Sequence, residues 1–230
     1  IGLSGIIGGS GLGVAMITFI YSITNTSAAV TLLCLAAMPF FTALLAFLFL
    51  RERISFNVWI SIILASVGIL IMAIGNTGEK SLAGFIFGLT SSIGFSIFSV
   101  TLRWKKETPK FTTVAFSGLF CFIFASIVIL IKDQVFFASS YNGSLFSLHG
   151  TLVCFGLILY SIGSKAIPAA ELTLLSLTEV VGGIFWVWLP IFGINEVPST
   201  NTIIGGFFLF VSLIYYSLIM KWNKRYIALN

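Results

Sequence analysis

Long apolar runs alternate with short polar breaks along the whole chain. Eight runs are close to the roughly 20 residues that an α-helix needs to cross the core of a bilayer. They cover residues 2–22, 28–50, 57–75, 81–102, 111–131, 147–165, 169–192 and 202–220. The breaks hold charges and turn residues and are too short to fold into a soluble domain. The pattern predicts an all-α membrane protein, a polytopic bundle of eight transmembrane helices.

Composition places this bundle in lipid and narrows its partners. Hydrophobic residues make up 58% of the 230 and charged residues 8%, whereas soluble domains carry about 25% charged residues. The net charge of +5 is spread without a long basic run, which argues against nucleic-acid binding. Cys34, Cys121 and Cys154 stand far apart inside apolar runs, so their spacing fits neither disulfides nor a metal site. We expect the bilayer as a partner and neither a metal nor a cofactor.

The distribution of basic residues orients the helices. Short loops rich in Lys and Arg stay in the cytoplasm. With the N-terminus inside, only Lys80 and Lys132 of the twelve basic residues fall outside. The other ten are Arg51, Arg53, Arg103, Lys105, Lys106, Lys110, Lys165, Lys221, Lys224 and Arg225. We therefore predict that both termini of this chain, including a tail at 221–230, are cytoplasmic.

Residues 28–75 and 169–217 align as an internal repeat. Each copy starts with Ala-Ala, runs through a long apolar helix to a glutamate, and continues into a helix with two small residues. These positions are Glu52, Ser61 and Gly68 in the first copy and Glu196, Gly205 and Ser212 in the second. The aligned helices are five spans apart, so they cross the membrane in opposite directions. Inverted repeats of this kind are typical of secondary transporters with a substrate site near the midplane. Chance similarity between apolar helices is the alternative.

The repeated motifs resemble a known family. The first copy contains TSAAV, a mid-helix Pro39 and FLFLRERIS, and the second contains IPAAELTLLSLTEVVGGIFWVW followed by NEVPSTNTIIGG. Both are similar to the EamA-type repeat of the drug/metabolite transporter superfamily. The resemblance implies ten helices in two inverted five-helix repeats, and a secondary transporter that exports small metabolites such as amino acids. It also implies the inner membrane of a bacterium as the location.

One departure from the family concerns the first repeat. It has three helices here, where the family has five. We expect residues 1–76 to be an incomplete first repeat, residues 81–220 to be the second, and two helices to precede Ile1. A natural eight-helix protein is the alternative.

Glu179 is the main candidate for a functional residue. It lies ten residues into its span, roughly 15 Å at about 1.5 Å per residue, near the midplane. Ser176, Gly183 and Trp186 share its helix face. A charged side chain facing lipid at this depth costs about 3 kcal/mol, so we expect the stripe to face the interior or a cavity. Pro39 is its near-equivalent in the first copy, where it distorts the helix.

The role of Glu179 has two interpretations. It binds a polar or cationic group of the substrate or exchanges protons as the coupling ion, or it is a protonated carboxyl that joins helices. Tyr21 and Tyr160 lie close to repeat-equivalent positions and are candidate lining residues. No nucleophile and base have a spacing that indicates an enzyme. A non-transporting membrane subunit or sensor remains the alternative to a transporter.

The orientation can be tested with single cysteines introduced after the three native cysteines are removed. We expect an impermeant thiol reagent added to intact cells to label Asn142→Cys and to spare Lys106→Cys, because the charge bias places 132–146 outside and 103–110 inside. Labelling only at position 106 would reverse the topology.

Overall fold

The computed structural model describes residues 2–52, 54–74, 81–104, 109–133, 139–189 and 200–228. Glu196 and four of the twelve basic residues in the charge count, Arg53, Lys80, Lys105 and Lys106, lie outside these ranges. The described residues form helices and connecting turns and contain no strand, which confirms the all-α prediction.

The helices follow the predicted runs closely. They are α1 (Gly2–Asn25), α2 (Ala28–Leu35), α3 (Met38–Leu45), a π-helical turn (Ala46–Leu50), α4 (Phe56–Ile74), α5 (Ser81–Trp104), α6 (Lys110–Ile131), α7 (Ser140–Gly163), α8 (Ala169–Leu175), α9 (Leu177–Trp188) and α10 (Thr200–Ala228). Within the described ranges, five segments are long and apolar enough to cross a membrane, and parts of α4 and α10 form shorter apolar helices. The chain is a polytopic membrane protein.

Two helix boundaries differ from the prediction. Helix α7 begins seven residues early, because the Ser139 hydroxyl caps its first turn by accepting a hydrogen bond from the Asn142 amide at 3.4 Å. Helix α10 continues to Ala228, so most of the predicted tail is helical. Both predicted boundaries were placed next to polar residues. Near a membrane surface, however, polar residues are compatible with helix, so the two helices extend further than predicted.

Two predicted spans are each interrupted near the middle. The first broken span (residues 28–50) consists of α2, α3 and the π-helical turn, with its break at Ala36 and Ala37. The second broken span (residues 169–188) consists of α8 and α9, with its break at Ser176. Pro39 lies in the first turn of α3, where a missing N–H is tolerated. Both breaks follow the Ala-Ala start by seven or eight residues, at aligned positions of the repeat.

Glycines let α1 pack closely against α5 and α6. A Cβ on Gly9 or Gly13 would come within 2.5 Å of the Phe116 or Phe120 ring of α6. A Cβ on Gly11 would come within 3.0 Å of the Gly94 carbonyl of α5. These glycines form a small-residue face that lets neighbouring helices approach α1 closely.

Helices α4 and α10 form the tightest link between the two copies of the repeat. The Ser212 hydroxyl donates a hydrogen bond of 2.8 Å to the Ser61 carbonyl. Two turns further along α4, a Cβ on Gly68 would lie 2.6 Å from the Gly205 carbonyl. The alignment pairs Ser61 with Gly205 and Gly68 with Ser212, so exchanging the two copies converts one contact into the other. This reciprocity is the pattern expected across a two-fold axis.

The α4–α10 contact gives a stability prediction. We expect Gly68→Ala to lower the free energy of unfolding in detergent by about 1–3 kcal/mol, because the added methyl overlaps backbone that cannot rotate away. Gly206→Ala is the matched control, since its Cβ would meet nothing within 4 Å. Thermal unfolding of both variants checks this, and equal midpoints would contradict the close contact.

Candidate functional site

The two broken spans cross each other at the centre of the described bundle. Helix α2 packs against α9, and α3 packs against α8. The first half of each span thus contacts the second half of the other, so the two spans are antiparallel. A Cβ on Gly183 of α9 would lie 2.8 Å from the Leu32 side chain of α2, which shows how closely they approach. Two helix breaks therefore meet near the middle of the fold.

Serines of α5 satisfy the backbone at the first break. Pro39 has no N–H to donate, and the Cys34 carbonyl accepts a backbone hydrogen bond of 3.1 Å from three residues on instead of four. The Ser92 hydroxyl donates to the Cys34 carbonyl, and the Ser96 hydroxyl donates to the Met38 carbonyl at 3.1 Å. All of these groups are buried. The break is held by side chains from another helix.

The second break is satisfied within its own span. The Ser176 hydroxyl donates to the Thr173 carbonyl at 2.7 Å, and the Thr173 hydroxyl donates to the Ala169 carbonyl at 3.1 Å. The predicted polar residue Ser176 therefore has a local structural bond and is half-buried. Local bonding of this type competes with regular helix and bends it.

Glu179 lies one turn beyond the second break, on the exposed surface of the described residues. Its carboxylate has no hydrogen-bond or ion-pair partner among them. Gly183, four residues on, contacts α2, whereas Trp186 is 53% exposed and packs edge-on against Phe185 at 6.4 Å. The predicted stripe thus runs along the border between the interior contact with α2 and an open face of α9.

The two candidate tyrosines lie away from this crossing. Tyr160 is near the end of α7, where its hydroxyl is 2.7 Å from the Ser99 hydroxyl and its ring contacts Phe95 at 5.1 Å. Tyr21 is near the end of α1 and packs against Phe87 at 5.4 Å. The structure does not bring Tyr21 or Tyr160 together with Glu179. Pro39, in contrast, is buried in α3 beside the break.

A polar cluster that the sequence did not predict lies at the end of the bundle where α5 and α7 finish. The Arg103 Nε atom is 2.7 Å from Glu52 Oε1, and Nη1 donates to the carbonyls of Ser164 and Ile167 at 3.1 and 2.8 Å. A cavity of about 170 Å³ adjoins the pair. It is lined by Glu52, Ile54, Val58, Arg103, Pro168, Ala170 and Glu171. The one feature of the sequence that could have indicated this cluster is Glu52, a carboxylate at a helix end in the first copy of the repeat.

Glu171 of this cavity accepts a hydrogen bond of 2.7 Å from the Tyr216 hydroxyl of α10. Among the described side chains, no three potential metal ligands converge here or elsewhere.

Comparisons with known proteins agree with the resemblance seen in the motifs. Residues 1–74 match the EamA-like transporter family. An uncharacterized transporter of Helicobacter pylori is 30% identical over 95 residues, which is 41% of this chain and 32% of that protein. An uncharacterized transporter of Clostridium kluyveri is 26% identical over 223 residues, covering 92% of this chain and 70% of that protein. The resemblance to EamA-type transporters is confirmed.

The fold is also found in a solved crystal structure. That protein superposes with a TM-score of 0.71 at 17% sequence identity, covering 94% of this chain and 76% of the other. The chain spans about a third of the Helicobacter relative. At this identity, the likeness to the crystal structure concerns the fold alone.

The serine bonds at the first break generate a prediction. We expect Ser92→Ala to lower the free energy of unfolding by roughly 0.6–1.7 kcal/mol, the range for hydrogen bonds between membrane helices, because the buried Cys34 carbonyl loses the second of its two donors. Ser66→Ala is the control, since the Ser66 hydroxyl donates only to Ile62 of its own helix. Denaturant titration in micelles measures both, and equal losses would mean that the bond to the broken span contributes nothing.

Proposed function

We propose that this chain, whose residues 1–74 match the EamA-like transporter family, exports small metabolites, amino acids among them, by alternating access. The observation that carries the proposal is the antiparallel crossing of two interrupted helices inside a polytopic bundle. In transporter folds, interrupted helices of inverted repeats surround the substrate near the midplane.

The two breaks differ in a way that suits binding and movement. The first is fixed by Ser92 and Ser96 of α5, whereas the second depends on hydroxyls of its own span, Ser176 and Thr173. The α9 half is therefore freer to rotate about Ser176 than α3 is about Ala37. We infer that α9 is the half-helix that moves when the site opens.

Glu179 is the proposed substrate-recognition or proton-coupling residue. It lies ten residues after Ala169, or about 15 Å along the span, and its side chain is exposed on an otherwise apolar helix. Lipid contact for a carboxylate at that depth would cost about 3 kcal/mol, so a water-filled cavity is the favourable surrounding. Ser176, Trp186 and Pro39 are the proposed neighbours of this cavity.

The remaining expectations belong to the same proposal. Residues 1–76 form part of one repeat and residues 81–220 form the other, related by an axis in the membrane plane. The reciprocal contacts of α4 with α10 support this division. The charge bias supports an inner-membrane protein with both ends of this chain in the cytoplasm.

Transport in proteoliposomes tests the role of Glu179. With a solute that the wild-type chain moves from a radiolabelled metabolite panel, we expect Glu179→Ala to reduce the initial rate at least about tenfold, since a charge-assisted hydrogen bond contributes about 1.5–3 kcal/mol. Glu179→Gln should abolish the dependence of the rate on a pH gradient if this carboxyl carries the proton. Asp133→Asn, at an exposed turn after α6, is the control carboxylate.

Two results would contradict the assignment. Wild-type rates in folded Glu179→Ala would remove Glu179 from the site, and an unchanged pH dependence in Glu179→Gln would remove the proton-coupling role. If the wild-type chain moves none of the panel, a membrane subunit or sensor is favoured over a transporter.

A further inference from the structure

We propose that Arg103 is a latch that holds the two broken spans together at one end of the bundle and must release for the transporter to open there. The inference rests on the proposed function, because it assigns a gate to the same transporter. It concerns a different place from the crossing, namely the polar cluster where α5 ends.

The Arg103 side chain joins three separate parts of the chain. Its Nε atom contacts the Glu52 carboxylate at 2.7 Å, directly after the first broken span. Its Nη1 atom donates to the carbonyls of Ser164 and Ile167, which connect α7 to the second broken span. One guanidinium, fixed on α5, thus bonds both the exit of one broken span and the entrance of the other.

One turn before Arg103, both broken spans pack against α5, which keeps their ends close to the Arg103 side chain. Ala46 of the first broken span and Ala169 of the second both pack with Val100, one turn before Arg103 on α5. All three residues are at most 5% exposed. Separating the spans at this end requires that at least one of them leaves α5, and therefore that Arg103 loses its acceptors on that side.

The latch is only partly exposed to water. The Arg103 and Glu52 side chains are 26% and 22% exposed, so water reaches the pair but does not surround it. Bonds from an ionised donor are strong when partly desolvated, and they can still exchange with water. A contact of this kind suits a gate that closes firmly and opens reversibly.

The cavity of about 170 Å³ lies beside the latch. It contains Glu52 and Arg103 on one side and Ala170 and Glu171 of α8 on the other. Ala170 is only 2% exposed. The cavity is already partly open to water at that end of the bundle, which the charge bias assigns to the cytoplasm, and releasing Arg103 would extend it to the buried Ala170.

Thiol accessibility tests the latch without a known substrate. Ala170→Cys is introduced into the full chain after Cys34, Cys121 and Cys154 are replaced by alanine, and labelling by a small charged maleimide is timed in micelles. We expect Arg103→Gln and Glu52→Gln each to accelerate labelling at position 170 at least about tenfold, since charge-assisted bonds contribute an order of magnitude or more to such an equilibrium. Arg51→Gln is the control, because Arg51 is exposed at the same end.

A second thiol separates gating from general loosening. Thr24→Cys places this thiol at an exposed position near the end of α1, at the end of the bundle away from Arg103. Faster labelling at position 170 with an unchanged rate at position 24 supports the latch. Equal acceleration at both positions, or no change at position 170 in a variant that unfolds at the wild-type temperature, overturns it. Because these rates need no transported solute, a failed transport screen contradicts the proposed function and leaves the latch result intact.

Discussion

The fold depends on one constraint, that a buried backbone carbonyl in an apolar bundle needs a hydrogen-bond donor from the protein. An unbroken helix supplies its own donors, but the span at 28–50 is interrupted and includes a proline. Helix α5 supplies additional donors at this break through Ser92 and Ser96. The same helix bonds to the Ala15 carbonyl of α1 through Ser91 and meets Tyr160 of α7 through Ser99. A serine-rich helix at the centre therefore makes an interrupted span compatible with lipid.

This dependence links stability to activity. The crossing of the broken spans requires residues that leave helical geometry, and the cost is offset by α5 at one break and by local hydroxyls at the other. Arg103, also on α5, fixes the ends of the same two spans. One helix thus supports the first break and the ends of both broken spans.

The sequence predicted the helices well and the side-chain environment less well. Apolar runs and the repeat located every span, because length and hydropathy determine insertion. Pro39 indicated the first break, but Ser176 carried no comparable signal, since a serine within a helix usually keeps it continuous. Helical periodicity placed Glu179 on the same face as Gly183. It does not predict that α2 covers Gly183 and leaves Glu179 exposed. The Arg103 cluster was missed because its acceptors include backbone carbonyls of a turn, which no residue pattern identifies.

The pairing of α4 with α10 has a consequence for how the protein is made. Ser61 and its partner Ser212 are 151 residues apart in the chain. At ribosomal rates of about 5–20 residues per second, roughly 8–30 seconds pass between their synthesis. During this interval the small-residue face of α4 lies in the membrane without α10. Lipid, the insertion machinery or transient neighbours cover this face meanwhile, so this part of the fold is complete only when α10 arrives.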